Sequence, residues 1–310
     1  AEVIKVERPH AGDDTRHWAP AWLKDNQQQD TREAAYYLSA NRNKYSVAIN
    51  IASPEGQALI REMVKDCDVL IENYKVGTLK RYGLDYATLS KINPQLVYCS
   101  ITGFGQTGPR AQEPGYDFII QGLGGMMSVT GERDDQPGGG PQKAGIALAD
   151  LTTGLYANIA IQAALLARHR TGEGQYIDMA LLDTQVACMS QLAMNYLVSD
   201  IVPQRYGNAH ANIVPYQVFK AKEREFIIAC GNDKQFSALC ESIGLPELAQ
   251  DERFDRNSQR VLNREALIQI LPAHFLKDSA EVWVEKIHTA RVPVGIINNI
   301  QQALDEPQIQ

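Results

Sequence analysis

Residues 68–101 read DVLIENYKVGTLKRYGLDYATLSKINPQLVYCSI, and this stretch decides the fold. Asp68–Glu72 and Leu96–Ile101 are short apolar runs of strand length, each matching a strand buried on both faces. A helix is expected between them, near Tyr86–Ile92. Strand, helix, strand in one short interval implies a crossover that returns the second strand parallel to the first.

The same rhythm extends on both sides. Upstream, Val3–Val6 is a short apolar run, and a polar, tryptophan-bearing loop follows through Asp30. Ser46–Ile51 reads as a strand. Ser53-Pro54-Glu55 then opens a helix, because serine can cap and proline suits the first helical position. That helix should reach Lys65, with Leu59, Met63 and Val64 on its packed face. Downstream, Gly122, Gly124 and Gly125 and the Pro137–Pro141 segment form a glycine-rich passage. The glycines lack G-x-G-x-x-G spacing, so close helix packing explains them better than a dinucleotide fingerprint. A helix apolar on most faces should run from about Leu151 to Arg168, buried or packed against another subunit. Thr171–Gly174 ends it, and Gln175–Leu181 resumes a strand. The fold class expected is α/β, a doubly wound, Rossmann-like parallel sheet.

After Ser199 the rhythm changes. Tyr216–Lys220 and Glu225–Cys230 read as hairpin partners, and helices dominate from Lys234 onward. The expected organisation is a large domain over 1–198, a linker over 199–212, and a smaller α+β domain over 213–310.

The chain has 310 residues, 44% hydrophobic and 22% charged, enough for a sizeable core. A net charge of −7 gives no reason to expect a nucleic-acid partner, and no apolar stretch is long enough to span a membrane. Five cysteines are scattered without C-x-x-C spacing, which argues against a disulfide framework or a zinc site. Cys67, Cys99 and Cys230 lie in apolar runs and read as buried reduced thiols, which suits the cytoplasm. The chain opens on A-E-V-I-K-V-E, a strand already under way, so residues are expected ahead of it.

Asp150 precedes the apolar helix. From position alone it reads as an N-cap whose carboxylate accepts backbone N–H bonds and is held ionised by the helix terminus. An ionised carboxylate is also a nucleophile toward an activated acyl group, and spacing does not choose between the two roles. Trp18 and Trp22 read as packing residues, and His210, a lone histidine, more often has a structural role.

The order of motifs adds a resemblance. A-E-V-I-K-V-E-R-P, I-E-N-Y-K-V-G, G-F-G-Q-T-G-P, P-G-Y-D, A-L-A-D-L-T-T-G and R-T-G-E-G-Q-Y-I-D resemble successive signatures of the class III CoA-transferase family, as do G-N-A-H-A-N-I-V-P-Y and G-N-D-K-Q-F later on. The resemblance implies an acyl-CoA:carboxylate CoA-transferase with Asp150 as nucleophile, working through an aspartyl mixed anhydride and an aspartyl-CoA thioester. It places Asp117 beside the nucleophile in a supporting catalytic role, where by position it reads equally as a loop or helix cap, and Arg8, Ile49, Asn73, Tyr74, Lys75, Arg81 and Tyr116 around CoA. His210 would line the acceptor pocket. CoA enters as a substrate, with no metal and no nucleotide cofactor, and the second substrate is a small carboxylic acid. Pro293–Asn299 and Gly231–Phe236 are similar to members using glutarate or succinate, so a short dicarboxylic acid is expected. The family further implies an interlocked homodimer in the cytoplasm, or in the mitochondrial matrix of a eukaryote.

Two other readings stay open at this point. A related racemase family carries a histidine base where this chain has Tyr116, a poor base at neutral pH. A non-catalytic CoA-binding fragment is the other, because the family extends beyond both ends of this chain.

Overall fold

Ser53 does what its neighbours suggest: its hydroxyl accepts the Gly56 N–H at 3.1 Å, and Pro54 starts the helix Pro54–Val64. Such a cap contributes about 1 kcal/mol. The computed structural model describes all residues 1–310. The helix buries Gly56, Ile60 and Val64, while Leu59 is 55% exposed. Val64 is in the core and Met63 packs against it as expected, so Leu59 alone is corrected, and Gly56 supplies the reason. A Cβ there would lie 1.9 Å from the Asn50 carbonyl oxygen, so the helix meets the preceding strand end at that glycine. Ile60 and Val64 follow it round the same face.

Parallel pairing is the rule in the first part of the chain. Ile4–Glu7 pairs with Tyr45–Ala48, and Val69–Glu72, Val97–Thr102 and Tyr176–Ala180 form a three-stranded sheet in that order. The parallel α/β reading is correct, but hydrogen bonding leaves two separate sheets rather than one continuous one. They share a core nonetheless, since Val6 and Val47 pack with Ile49, Leu70 and Tyr98. The expected loop through Asp30 is in fact structured. It contains a 3-10 turn at Asp14–His17 and an antiparallel hairpin of Trp22–Lys24 with Asp30–Ala34, followed by the helix Ala35–Asn41.

The long helix spans Leu148–Thr171 and ends at Gly172, whose φ of 74° is the left-handed conformation that glycine adopts most easily. Its buried face is mostly small: Ala157, Ile161 and Ala164 pack against the sheet, while Ala149 meets Ile120 and Leu181 and Thr153 bonds to Thr184 on neighbouring helices. The larger side chains Leu151, Leu155, Ile159 and Leu166 are more than half exposed. No helix is long and apolar enough to cross a membrane.

Two compact units divide the chain, residues 1–125 with 145–193 and residues 126–144 with 194–310. The segment 126–144 joins the second unit through long-range polar contacts. Arg205 donates to the Ser128 and Glu132 carbonyls and pairs with Asp134, and Arg133 pairs with Glu265. In that unit Tyr216–Lys220 and Glu225–Ala229 form the expected hairpin, and Val294–Ile296 adds an antiparallel third strand. Phe219, Phe226, Phe275 and Trp283 form its aromatic centre. Arg260 is fully buried and satisfied by the Val214 and Phe254 carbonyls and by Asp233. All five cysteines are free thiols. Cys99, Cys230 and Cys240 are buried, and desolvation lifts them to about 11, 11 and 12 respectively. Cys67 is only half-buried.

Candidate active site

Two glycines bring the site's loops together. Gly103 follows the strand Val97–Thr102, and Gly115 precedes Tyr116-Asp117. A Cβ on Gly103 would lie 2.4 Å from the Gly115 Cα, so the two loops cross backbone on backbone. That crossing sets the start of the short helix Asp117–Leu123 beside the long helix.

Asp117, not Asp150, is the acid that caps the long helix. Its Oδ1 accepts the Ala149 N–H at 2.8 Å and the Asp150 N–H at 3.4 Å, and its Oδ2 accepts from Gln121 Nε2 at 2.8 Å. The cap reading of Asp150 is therefore corrected. Asp150 sits within the first turn, and no side-chain cap bond comes from its own end of the helix. This also explains why the helix starts at Leu148 rather than Leu151, because a carboxylate distant in sequence satisfies its first N–H groups.

The charge balance at Asp150 differs from the expectation as well. Its carboxyl is accessible, yet partial desolvation raises its pKa above the ordinary value, and the neighbouring Asp117 charge raises it further. The helix terminus does not prevail, because Asp117 already takes its first N–H groups. The result is an accessible carboxylate with free lone pairs and more than usual basicity.

Of the expected CoA contacts, Arg8 and the Asn73–Lys75 turn lie at the ends of strands in the same unit. Arg8 follows the strand Ile4–Glu7, is well exposed and pairs with Asp14. Asn73, Tyr74 and Lys75 form the exposed turn after Val69–Glu72, and Arg81 closes the short helix Thr78–Arg81. Arg8 and Tyr74 are close enough for the guanidinium to act on the Tyr74 hydroxyl, although burial and Glu72 raise that hydroxyl overall. Open α/β sheets collect ligands at this edge. Ile49 is different: it is 7% exposed, and its side chain packs in the core with Ile60 and Leu79. Tyr116 precedes the Asp117 helix with 72% of its surface exposed.

His210 belongs to the second unit. Its Nδ1 accepts the Asn212 N–H at 3.0 Å, and its ring lies 5.2 Å from that of Tyr216. Arg264 donates to its carbonyl at 2.8 Å. These contacts give the histidine a loop-shaping role within that unit. Trp18, read as a packing residue, is 51% exposed and meets Tyr36 edge-on at 5.0 Å.

Three polar residues escaped the sequence reading. Gln121 is fully buried against Asp117, and its i, i+4 position on the short helix was a usable signal. Glu72 ends its strand, and Ser100 lies across the ladder from it. An acid closing an apolar strand was visible, but its partner was not.

The whole chain, residues 1–310, matches the model of CoA-transferase family III. The chain is 48% identical to a succinate–glutarate CoA-transferase of Agrobacterium fabrum, over 100% of this chain and 76% of that protein. It is 45% identical to a succinyl-CoA:glutarate CoA-transferase of Mus musculus, over 100% of this chain and 68% of that one. A crystal structure of a CaiB/BaiF family protein from Brucella suis superimposes with a TM-score of 0.85 at 49% identity, covering 99% of this chain and 79% of that one. With the parallel sheets and the Asp117–Asp150 arrangement described above, these likenesses show that the chain belongs to CoA-transferase family III.

Proposed function

We propose that this chain transfers CoA between short dicarboxylic acids, succinate and glutarate being the best candidates, with Asp150 as the covalent relay. The observation that carries the reading is the free, desolvated carboxylate of Asp150 beside an Asp117 already committed to the helix terminus. The substrate class rests on the names of the similar transferases.

The steps balance without an external energy source. An Asp150 oxygen attacks the thioester carbonyl carbon of the donor acyl-CoA; the C–S bond breaks, and CoA thiolate leaves with the electron pair. The thiolate attacks the Asp150 carbonyl carbon of the mixed anhydride, which releases the donor as a free carboxylate and leaves an aspartyl thioester. The acceptor carboxylate attacks that thioester and expels CoA thiolate again. Thiolate attack on the acceptor's carbonyl then yields the new acyl-CoA and regenerates the Asp150 carboxylate. Dividing the exchange this way conserves the thioester and keeps each step easy. Raised basicity of Asp150 favours the first attack, and Arg8, Lys75 and Arg81 are the cations suited to CoA's phosphates.

Succinyl-CoA with glutarate is the first pair to assay, within a panel of donors and acceptors. Asp150→Ala should lower kcat by at least about 10³-fold. Hydroxylamine trapping after incubation with acyl-CoA should modify Asp150, as located by mass spectrometry. A label elsewhere, or undiminished turnover in the variant, overturns the mechanism.

The chain also works as a homodimer in this proposal. The support is the outward apolar face of Leu151, Leu155, Ile159 and Leu166, larger than isolated surface leucines require. Size-exclusion chromatography with light scattering should give twice the chain mass, and a clean monomer contradicts it.

A further inference from the structure

The geometry points to Glu72 as a positioning residue that, through Ser100 and Gln106, holds the Asn73–Lys75 turn in register with the Gly103–Gly108 loop and so sets the affinity for the CoA substrate. The inference rests on the reading of Asn73–Lys75 as a CoA-contacting turn.

Glu72 is the last residue of its strand, at the carboxyl edge where ligands of parallel sheets gather. Its Oε2 accepts the Tyr74 N–H at 2.8 Å, which pins the middle of the turn. Its Oε1 accepts the hydroxyl of Ser100, a residue only 1% exposed on the adjacent strand. The same Ser100 oxygen accepts from Gln106 Nε2 at 2.8 Å. Gln106 is fixed at its other end, because its backbone N–H donates to Asp178 at 3.0 Å on the third strand. One chain of bonds thus runs from the turn after the first strand, through the middle strand, to the loop after it. Burial raises the Glu72 carboxyl, and the Ser100 and Tyr74 bonds oppose that rise, as expected of donors aimed at the ionised form.

The network serves order more than folding. Asn73, Tyr74 and Lys75 are exposed, so water can replace a lost bond to Tyr74 N–H without an unsatisfied buried group. What is lost is the single conformation of the turn, and CoA must then bear the cost of ordering it.

The test compares Glu72→Gln and Ser100→Ala with Lys75→Ala. Glu72→Gln should raise KM for acyl-CoA about 10-fold, with kcat and the acceptor's KM within about twofold. Ser100→Ala removes one hydroxyl and should act in the same direction to a smaller extent; it decides the matter if the Gln variant fails to fold. A merely structural role would lower the active fraction, and with it kcat, without moving KM for one substrate alone. If Lys75→Ala raises KM for acyl-CoA and the other two variants do not, Glu72 has no positioning role. If Lys75→Ala too leaves it unchanged, the reading of the turn itself fails, and this inference falls with it.

Discussion

Glu7 and Asp150 are both acids of the first unit, and the fold treats them in opposite ways. Glu7 is 6% exposed and surrounded by donors. Arg16 donates to both of its oxygens at 2.8 Å, Ser46 at 2.7 Å, Asp13 N–H at 2.9 Å and Tyr37 at 3.1 Å. The Arg16 bonds, assisted by the other three, hold its carboxyl far below the ordinary value despite desolvation. Asp150 has no such company, and its main charged neighbour is another acid. A carboxylate whose lone pairs are all occupied builds structure; one left without donors beside a like charge is available for chemistry.

The comparison breaks first at Glu7. Glu7→Gln places an amide donor among five donors and leaves Arg16 with only Glu33 as an anionic partner. The expected loss is about 2–4 kcal/mol, below the upper range for a broken buried pair because Arg16 is partly exposed. Urea unfolding at pH 7 measures it. The pH dependence has a definite sign. The folded pKa of Glu7 lies below its ordinary value of 4.5, so its contribution is present above that value and disappears as the pH falls. The gap between the wild type and Glu7→Gln should therefore narrow as unfolding is repeated from pH 7 toward pH 3. A constant gap would show that the charge is not what stabilises this cluster.

Local signals explain what the sequence revealed. The strands Val69–Glu72, Val97–Thr102 and Tyr176–Ala180 are apolar runs, and Ser53-Pro54 starts a helix by rules that span four residues. The hairpin at Trp22–Lys24 and Asp30–Ala34 is too short and too exposed to leave a hydrophobic alternation. The Glu7 cluster draws its donors from positions 13, 16, 37 and 46, which no periodicity connects. The same distance hid the division of labour at the site. Asp150 stands where a cap is expected, while the acid that performs the capping is 33 residues upstream. Motif order pointed to Asp150 as the expected nucleophile, but only tertiary structure could show that it is relieved of capping. Leu59 makes the point for packing: Met63 and Val64 reach the core as their spacing suggested, but the close approach of Gly56 to Asn50 puts Ile60 rather than Leu59 beside them.

The smallest effect discriminates best between the two acids. In Asp150 the folded pKa lies above the ordinary 3.8, so the folded state binds the proton more tightly than the unfolded chain. Stability from this group is present at low pH and is lost as the pH rises through the folded pKa. At pH 7 the ionised side chain therefore opposes folding, as a reactive group in a prepared site often does. Asp150→Asn removes that charge and should raise the Tm at pH 7, by no more than about 2 °C because solvent reaches the carboxyl. The gain should vanish below the ordinary 3.8, where the carboxyl is neutral in both the folded and the unfolded chain. Calorimetry at pH 7 and at pH 3 tests both parts. If Asp150→Asn destabilises at pH 7, as Glu7→Gln is expected to, then Asp150 is a second structural acid, and its lone pairs are not free to attack a thioester.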